Sequence, residues 1–218
     1  MLACIFHLWE ISVTSLRVVA GVVSALWFSG AVAGSGPLGI DHRLGVDNDG
    51  LWSRRSQHVM MGALITTEVV AGVWEGEATR FGRTSWQSID AMLLSAATTE
   101  VMKRTFRRVR PSNTDDPGAW FGSPRDRSFP SGEAASFAAA VTPIMLEYGQ
   151  EQPWVYALAL LPVYDGYARM KTRGHWQTDV LAGLAIGTAA GWYAHGRPRS
   201  FTVQLMPRGV QVGLRGNF

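Results

Sequence analysis

Long apolar stretches separated by short polar breaks dominate the chain from position 51 onward. Residues 59–74 are apolar except for Glu68 and a few small polar positions, a pattern that predicts a helix. A second helix is predicted over 85–106, opened by Thr84 or Ser85 and ended by Arg110-Pro111, because the residue before a proline avoids helical angles. Residues 112–129, with Pro117, Gly118, Gly122 and Pro124, read as a loop. Three more helices follow, over 131–148, 153–167 and 175–193, the last carrying Leu181, Leu184, Ala185, Thr188 and Trp192 at helical spacing. Glu68, Glu147, Asp165 and Asp179 interrupt or bound these stretches, so none reaches the roughly 20 clean apolar residues of a membrane span. In the tail Phe201, Val203 and Leu205 alternate with Thr202 and Gln204, and Val210, Val212 and Leu214 alternate again after Pro207-Arg208-Gly209. That is a hairpin pattern, assigned to 200–218. The expected fold is therefore mainly α, a compact helical bundle over 51–199 with a short C-terminal β-hairpin.

The amino terminus has another character. Positions 1–17 are mixed and end in Arg17, 18–28 carry no charge, and Ser29-Gly30 lead into Ala31-Val32-Ala33. A basic flank, an apolar stretch and an A-x-A site predict an export signal over 1–33, cleaved after Ala33 or retained as an anchor. Either reading places the rest in the periplasm or at the outer face of the inner membrane; a buried amphipathic helix is the competing reading. Residues 34–50, rich in Gly, Pro and Asp, read as a linker, with folding expected to begin near Leu51.

Composition narrows the class. With 218 residues, 47% hydrophobic and 17% charged, the chain is too apolar for disorder and too polar for an ordinary multispan membrane protein. Twenty Lys and Arg against 17 Asp and Glu leave +3, which does not predict a nucleic-acid partner. Anion binding must come from local clusters, of which 103–110 is the densest. A single cysteine, Cys4, permits neither a disulfide nor a cysteine metal site.

Three segments carry candidate chemistry. Lys103 and Arg110 lie two helical turns apart, so one helix would project both cations from one face toward a phosphoryl group. In Pro130-Ser131-Gly132-Glu133 a serine stands before an alanine-rich helical run, where free backbone N–H groups bind an anion. His175 and Asp179 are four apart at a helix start, so the carboxylate can hold one ring nitrogen protonated while the other faces the site near Arg169, Lys171 and Arg173. Taken alone, the basic run reads as a solvated face, His175 as a structural histidine and Ser131-Gly132 as a helix cap. Their joint spacing decides against those readings.

Lys103, six residues, Arg110-Pro111; Pro130-Ser131-Gly132; then Arg169, five residues, His175, three residues, Asp179: this order resembles the tripartite signature of the type 2 phosphatidic acid phosphatase superfamily, which includes bacterial acid phosphatases and vanadium haloperoxidases. The resemblance implies a helical bundle with its site at helix ends. It implies a metal-independent phosphohydrolase without a cofactor, in which His175 attacks phosphorus to form a phosphohistidine and Asp179 orients it. Lys103, Arg110, Arg169 and the backbone at Ser131 and Gly132 would hold the phosphate oxygens.

Two positions depart from the family pattern. Ala168 stands where a serine usually precedes the arginine, a loss of ~1 kcal/mol of support. Glu133 stands where a histidine normally protonates the leaving alcohol. Either burial and the phosphate keep Glu133 protonated and able to act as the acid, or Lys103, Arg110 and Arg169 hold it ionised. Losing the acid costs about 10²–10⁴ in rate, most for alkoxide leaving groups and least for phosphoanhydrides. The expected partner is a phosphate-containing substrate, either lipid-linked, with membrane contact, or a small monoester. Two alternatives stand beside this: a non-catalytic phosphate-headgroup binder, and a haloperoxidase with vanadate on His175. Arg125 and Arg127, among Trp120, Phe121 and Phe129, form either a lid or a packed surface loop. His58, His195, Glu68 and Glu100 read as structural, with no metal-ligand spacing joining them.

Overall fold

Five α-helices are present among the described residues of the computed structural model, which are 35–197, 201–206 and 209–214. They are α1 (Arg54–Glu75), α2 (Arg80–Phe106), α3 (Gly132–Tyr148), α4 (Leu160–Lys171) and α5 (Gln177–His195). Strands β1 (Phe201–Met206) and β2 (Gly209–Leu214) pair antiparallel, with Phe201 opposite Leu214 and Met206 opposite Gly209. The mainly α architecture with a terminal hairpin is as the pattern predicts. The expected signal or anchor over 1–33 lies outside the described residues.

The starts and stops have local causes. Ser53 caps α1 by accepting the Ser56 N–H, and Thr79 caps α2 by accepting that of Gly82. Helix α2 thus begins five residues before the expected opening at Thr84 or Ser85. It ends at Phe106, as predicted, but through Arg107, which adopts a left-handed conformation (φ 42°), rather than through Arg110-Pro111. Residues 112–129 form the predicted loop. The segment 153–167 is not one helix; a 3₁₀ turn over Pro153–Ala159 precedes α4.

The core lies where α3 meets α2 and α5. Ala134, Ala135, Phe137, Ala138, Ala139, Ala140 and Val141 of α3 are buried, the small side chains allowing close helix approach. Helix α5 meets α3 through Gly183, Gly187 and Gly191. A Cβ there would stand 2.3 Å from the Ser131 carbonyl oxygen, 2.1 Å from that of Ala135 and 2.5 Å from the Thr142 Cβ. The buried face of α5 is therefore its glycine face. Of the residues whose spacing predicted the helix, Leu181 and Leu184 are half-buried and Ala185, Thr188 and Trp192 exposed, because backbone contact at glycine excludes larger side chains from that seam.

Residues 35–48, expected as a linker, are fastened to the bundle. Asp41 is buried and accepts from Thr178 N at 2.8 Å, capping the first turn of α5 from outside. The His42 N–H donates to Gln177 Oε1 at 3.0 Å, and the Asp47 N–H to Lys171 O at 3.2 Å. Among the described residues no helix is long and apolar enough to cross a membrane.

Candidate active site

The site sits where the ends of α2, α3, α4 and α5 converge. His175, in the loop entering α5, is buried, and its Nδ1 lies 2.7 Å from the Ser128 carbonyl oxygen. A carbonyl only accepts, so Nδ1 carries the hydrogen and Nε2 keeps its lone pair. Burial, then the nearby Arg169 and Lys103, push the imidazole down to about 3 against the pull of Asp179, so the ring is neutral. This is the state of a nitrogen nucleophile.

Asp179 does its orienting differently from the simple pairing expected. Its Oδ2 is 3.7 Å from His175 Nδ1, beyond hydrogen-bond range, but accepts from Ser128 Oγ at 2.5 Å and Trp176 N at 2.9 Å. The carboxylate therefore fixes the residue whose carbonyl fixes the histidine. Ser131 N donates to the Asp179 carbonyl oxygen at 2.8 Å, tying the start of α3 to that of α5.

Beneath this lies Arg108, fully buried, donating to Asp179 Oδ1 at 2.7 Å and Asp41 Oδ2 at 2.6 Å. Its guanidinium also stacks 4.5 Å from the Trp120 ring. Nothing in the basic run distinguishes Arg108 from its neighbours. Its place is dictated by the turn at Arg107, which sends the next side chain inward.

The phosphate-binding candidates do assemble, by a different route from the one expected. Arg110 lies beyond the end of α2, so Lys103 and Arg110 do not share a helix face; the turn after Phe106 brings them together. Lys103 Nζ donates to Pro130 O at 2.5 Å and Arg127 O at 3.2 Å, and its chain lies 3.6 Å from where a Cβ on Gly132 would be. Burial, then Arg110, lower its ammonium to about 8. Burial first, then Arg54, also lowers the Arg110 guanidinium, and burial lowers that of Arg169 to about 10. Burial and mutual repulsion outweigh the nearby carboxyl groups at all three cations, and an incoming dianion would relieve them. Arg169 packs against Gly174, where a Cβ would meet its Nη2 at 2.7 Å. Ser131 Oγ and Arg169 Nε are buried without a hydrogen-bond partner, two donors awaiting an acceptor.

Glu133 settles its charge through a residue the sequence did not point to. Arg54, from the first turn of α1, forms a bidentate pair with it, Nη1 to Oε2 and Nη2 to Oε1, both at 2.7 Å. Burial alone would raise the carboxyl, but Arg54 and then Arg169, whose Nε is 3.6 Å away, hold it down at about 2. Of the two states left open for Glu133, this environment favours the ionised one, which has no proton to donate. The cation chiefly responsible is Arg54 rather than Lys103 or Arg110. Arg54 Nη2 also lies 2.7 Å from His58 Nε2.

Within the 112–129 loop, Trp120 and Phe129 are packed rather than lid-like. Trp120 and Phe129 meet at 5.2 Å, Phe106 and Phe129 at 5.5 Å, and Arg127 pairs with Glu100. Only Phe121 and Arg125 of the suspected lid are exposed. Among the described residues no group of three His, Cys, Asp or Glu could hold a metal ion.

A neutral, oriented imidazole beside the half-buried Lys103 and Arg110 and the buried Arg169 is an arrangement that could bind and attack a phosphoryl group at the helix ends. The family model of the PAP2 superfamily matches residues 85–201, more than half of the chain, and the chain belongs to that superfamily. Over 120 residues it is 31% identical to the lipid A 1-phosphatase of Porphyromonas gingivalis, an alignment covering 54% of this chain and 24% of that protein. Over 102 residues it is 35% identical to the decaprenylphosphoryl-5-phosphoribose phosphatase of Mycolicibacterium smegmatis, covering 46% of this chain and 53% of that one. The chain thus spans only part of the length of each of these relatives. Among solved structures, LpxE of Aquifex aeolicus aligns with a TM-score of 0.44 at 20% identity, over 66% of this chain and 87% of that one. The PAP2 type phosphatidylglycerolphosphate phosphatase of Bacillus subtilis aligns with a TM-score of 0.46 at 20% identity, over 66% and 76%.

Proposed function

We propose that the chain is a metal-independent phosphohydrolase acting on a phosphate or diphosphate ester through a phosphohistidine. The observation that carries this reading is the His175 imidazole, neutral and tautomerically fixed by Ser128 O, beside buried donors without partners on Ser131 and Arg169. In the first step the Nε2 lone pair forms a bond to phosphorus as the bond from phosphorus to the leaving oxygen breaks. Lys103, Arg110, Arg169, the Ser131 hydroxyl and the Gly132 N–H hold the three equatorial oxygens, where the transition-state charge spreads, the Ser131 N–H expected for this role being taken by the Asp179 carbonyl. In the second step water attacks phosphorus, and histidine leaves with its Nε2 lone pair restored.

Glu133 determines which esters suit this site. An ionised carboxylate cannot protonate a departing alkoxide, so leaving groups that depart as stable anions, such as a phosphate from a diphosphate, are favoured. A lipid-linked substrate is supported by the names of the two relatives and by the surface: Val59, Val70, Trp74, Leu93 and Val101 of α1 and α2 are exposed. Membrane contact through this face and export through residues 1–33 complete the proposal.

The test is phosphate release from p-nitrophenyl phosphate and from a lipid diphosphate between about pH 4 and about pH 9, with His175→Ala and Glu133→Ala alongside. His175→Ala should abolish release from both. Wild-type activity should persist down to about pH 4, because His175 stays neutral to about 3, and should fall above about pH 8 as Lys103 loses its charge. Binding without His175-dependent release from either compound would instead support the headgroup-binding reading, which the fixed charge of Glu133 favours.

A further inference from the structure

One buried acid in the site has no place in the mechanism above. Asp165, on α4, is fully buried, and neither carboxyl oxygen has a hydrogen-bond partner. It stands one helical turn before Arg169 on the same helix. The charged groups facing it are Glu133 from α3, Arg54 from α1 and Arg169 from α4 itself, while α5 presents the apolar Val180 against the neighbouring Gly166. Glu133 already takes both Nη atoms of Arg54, which leaves Asp165 without a close cation. An ionised carboxylate there would be desolvated, unpaired and next to a like charge, an arrangement proteins avoid by protonating the group.

We propose that Asp165 is a positioning residue whose protonation leaves the charge of Arg169 uncompensated for a phosphate dianion, so that the site takes up a proton on Asp165 when a dianion enters. The proposal rests on the reading of this pocket as a phosphate site. Burial first, and Glu133 second, raise the carboxyl to about 7, so near neutrality Asp165 is divided between its two forms. In the ionised form it competes for the Arg169 guanidinium one turn away. In the neutral form it does not, and an arriving dianion, repelled by the carboxylate, favours that form. Carboxylate and carboxylic acid thus share one corner, Glu133 holding Arg54 in place and Asp165 leaving Arg169 available.

Calorimetric titration of the full chain with inorganic sulfate, dianionic throughout the range used, measures this without needing a substrate. Repeating it in buffers of different ionisation enthalpy gives the protons taken up. At pH 7 wild type should take up about half a proton, and its sulfate affinity should weaken by up to about tenfold between about pH 6 and about pH 8. Asp165→Asn, neutral at every pH, should bind sulfate at pH 7 at least as tightly with the uptake abolished; what Lys103 contributes is centred about one unit higher. Circular dichroism checks that the variant folds. If it does not, Glu133→Gln, which removes the like charge and so lowers the Asp165 carboxyl, should move the pH of greatest uptake downward. Sulfate binding without proton uptake, or uptake unchanged in these variants, overturns the proposal and leaves the phosphate site standing. No sulfate binding at any pH overturns the phosphate site and the proposal together.

Discussion

Arg54 and Glu133 show how one side chain sets the charge of another in the candidate site. The carboxylate is half-buried, and its charge is kept by two charge-assisted hydrogen bonds from a helix far away in sequence. Arg54→Ala should release that charge: burial would then dominate and move the Glu133 carboxyl upward, toward a group able to donate a proton in mild acid. The expected outcome is a narrower gap between aryl and alkyl phosphate hydrolysis at about pH 5, read as the ratio of kcat/KM values. Because the pair is about a third exposed, its loss should cost only ~1 kcal/mol in chemical denaturation. At this scale the sequence showed Glu133 as the unusual position, and its charge followed only once Arg54, 79 residues away, was seen beside it.

Helices α3 and α5 carry the site because their backbones nearly touch. Glycines at 183, 187 and 191 repeat every four residues, so they share one face of α5 and accept the carbonyls of Ser131 and Ala135 into that face. The contact holds the start of α3, with Ser131 and Gly132, against the start of α5, with Asp179. Gly187→Val would drive side-chain atoms into the Ala135 carbonyl and push the helices apart. It should destabilise the fold by roughly 3 kcal/mol in urea denaturation, and phosphate release should fall with it, since His175 and Ser131 would lose register. Four-residue glycine spacing is present in the sequence, while the helical periodicity is carried by larger residues on another face. Glycine contributes no hydrophobicity to a periodic pattern, so the face it leaves open is seen only when a partner fills it.

For the whole molecule, buried acids set a pH dependence of stability. Glu68, buried in α1, has its carboxyl raised by burial to about 7, with the nearby Ser85 hydroxyl pulling the other way. The folded chain therefore holds a proton that the unfolded chain gives up above the ordinary carboxyl range of about 4.5. Stability from this group is present below that range and declines as pH rises toward about 7. Glu133, lowered to about 2, has the opposite sign: its contribution is present above about 4.5 and is lost as pH falls toward 2. Glu68→Gln should make the melting temperature less dependent on pH between about 5 and about 7 than it is in wild type, checked by thermal scans at fixed ionic strength.

The sequence by itself determined the helices, the loop between α2 and α3, the terminal hairpin pattern and the three motifs, because each depends on local periodicity, turn residues or short spacing. It also determined the family, since Lys103, Arg110, Ser131, Gly132, Arg169, His175 and Asp179 stand in order at fixed intervals. The tertiary structure decided the charge states and the supports. Arg108 became a buried strut because a left-handed turn at Arg107 aimed it at Asp41, 67 residues earlier, and at Asp179, 71 residues later. Segment 35–48 became part of the bundle through the same Asp41. His175 received its tautomer from a backbone carbonyl, which any residue at position 128 would possess and no side-chain pattern announces. Burial and distant partners fix whether an acid or base is charged, and both arise only when the chain has folded on itself.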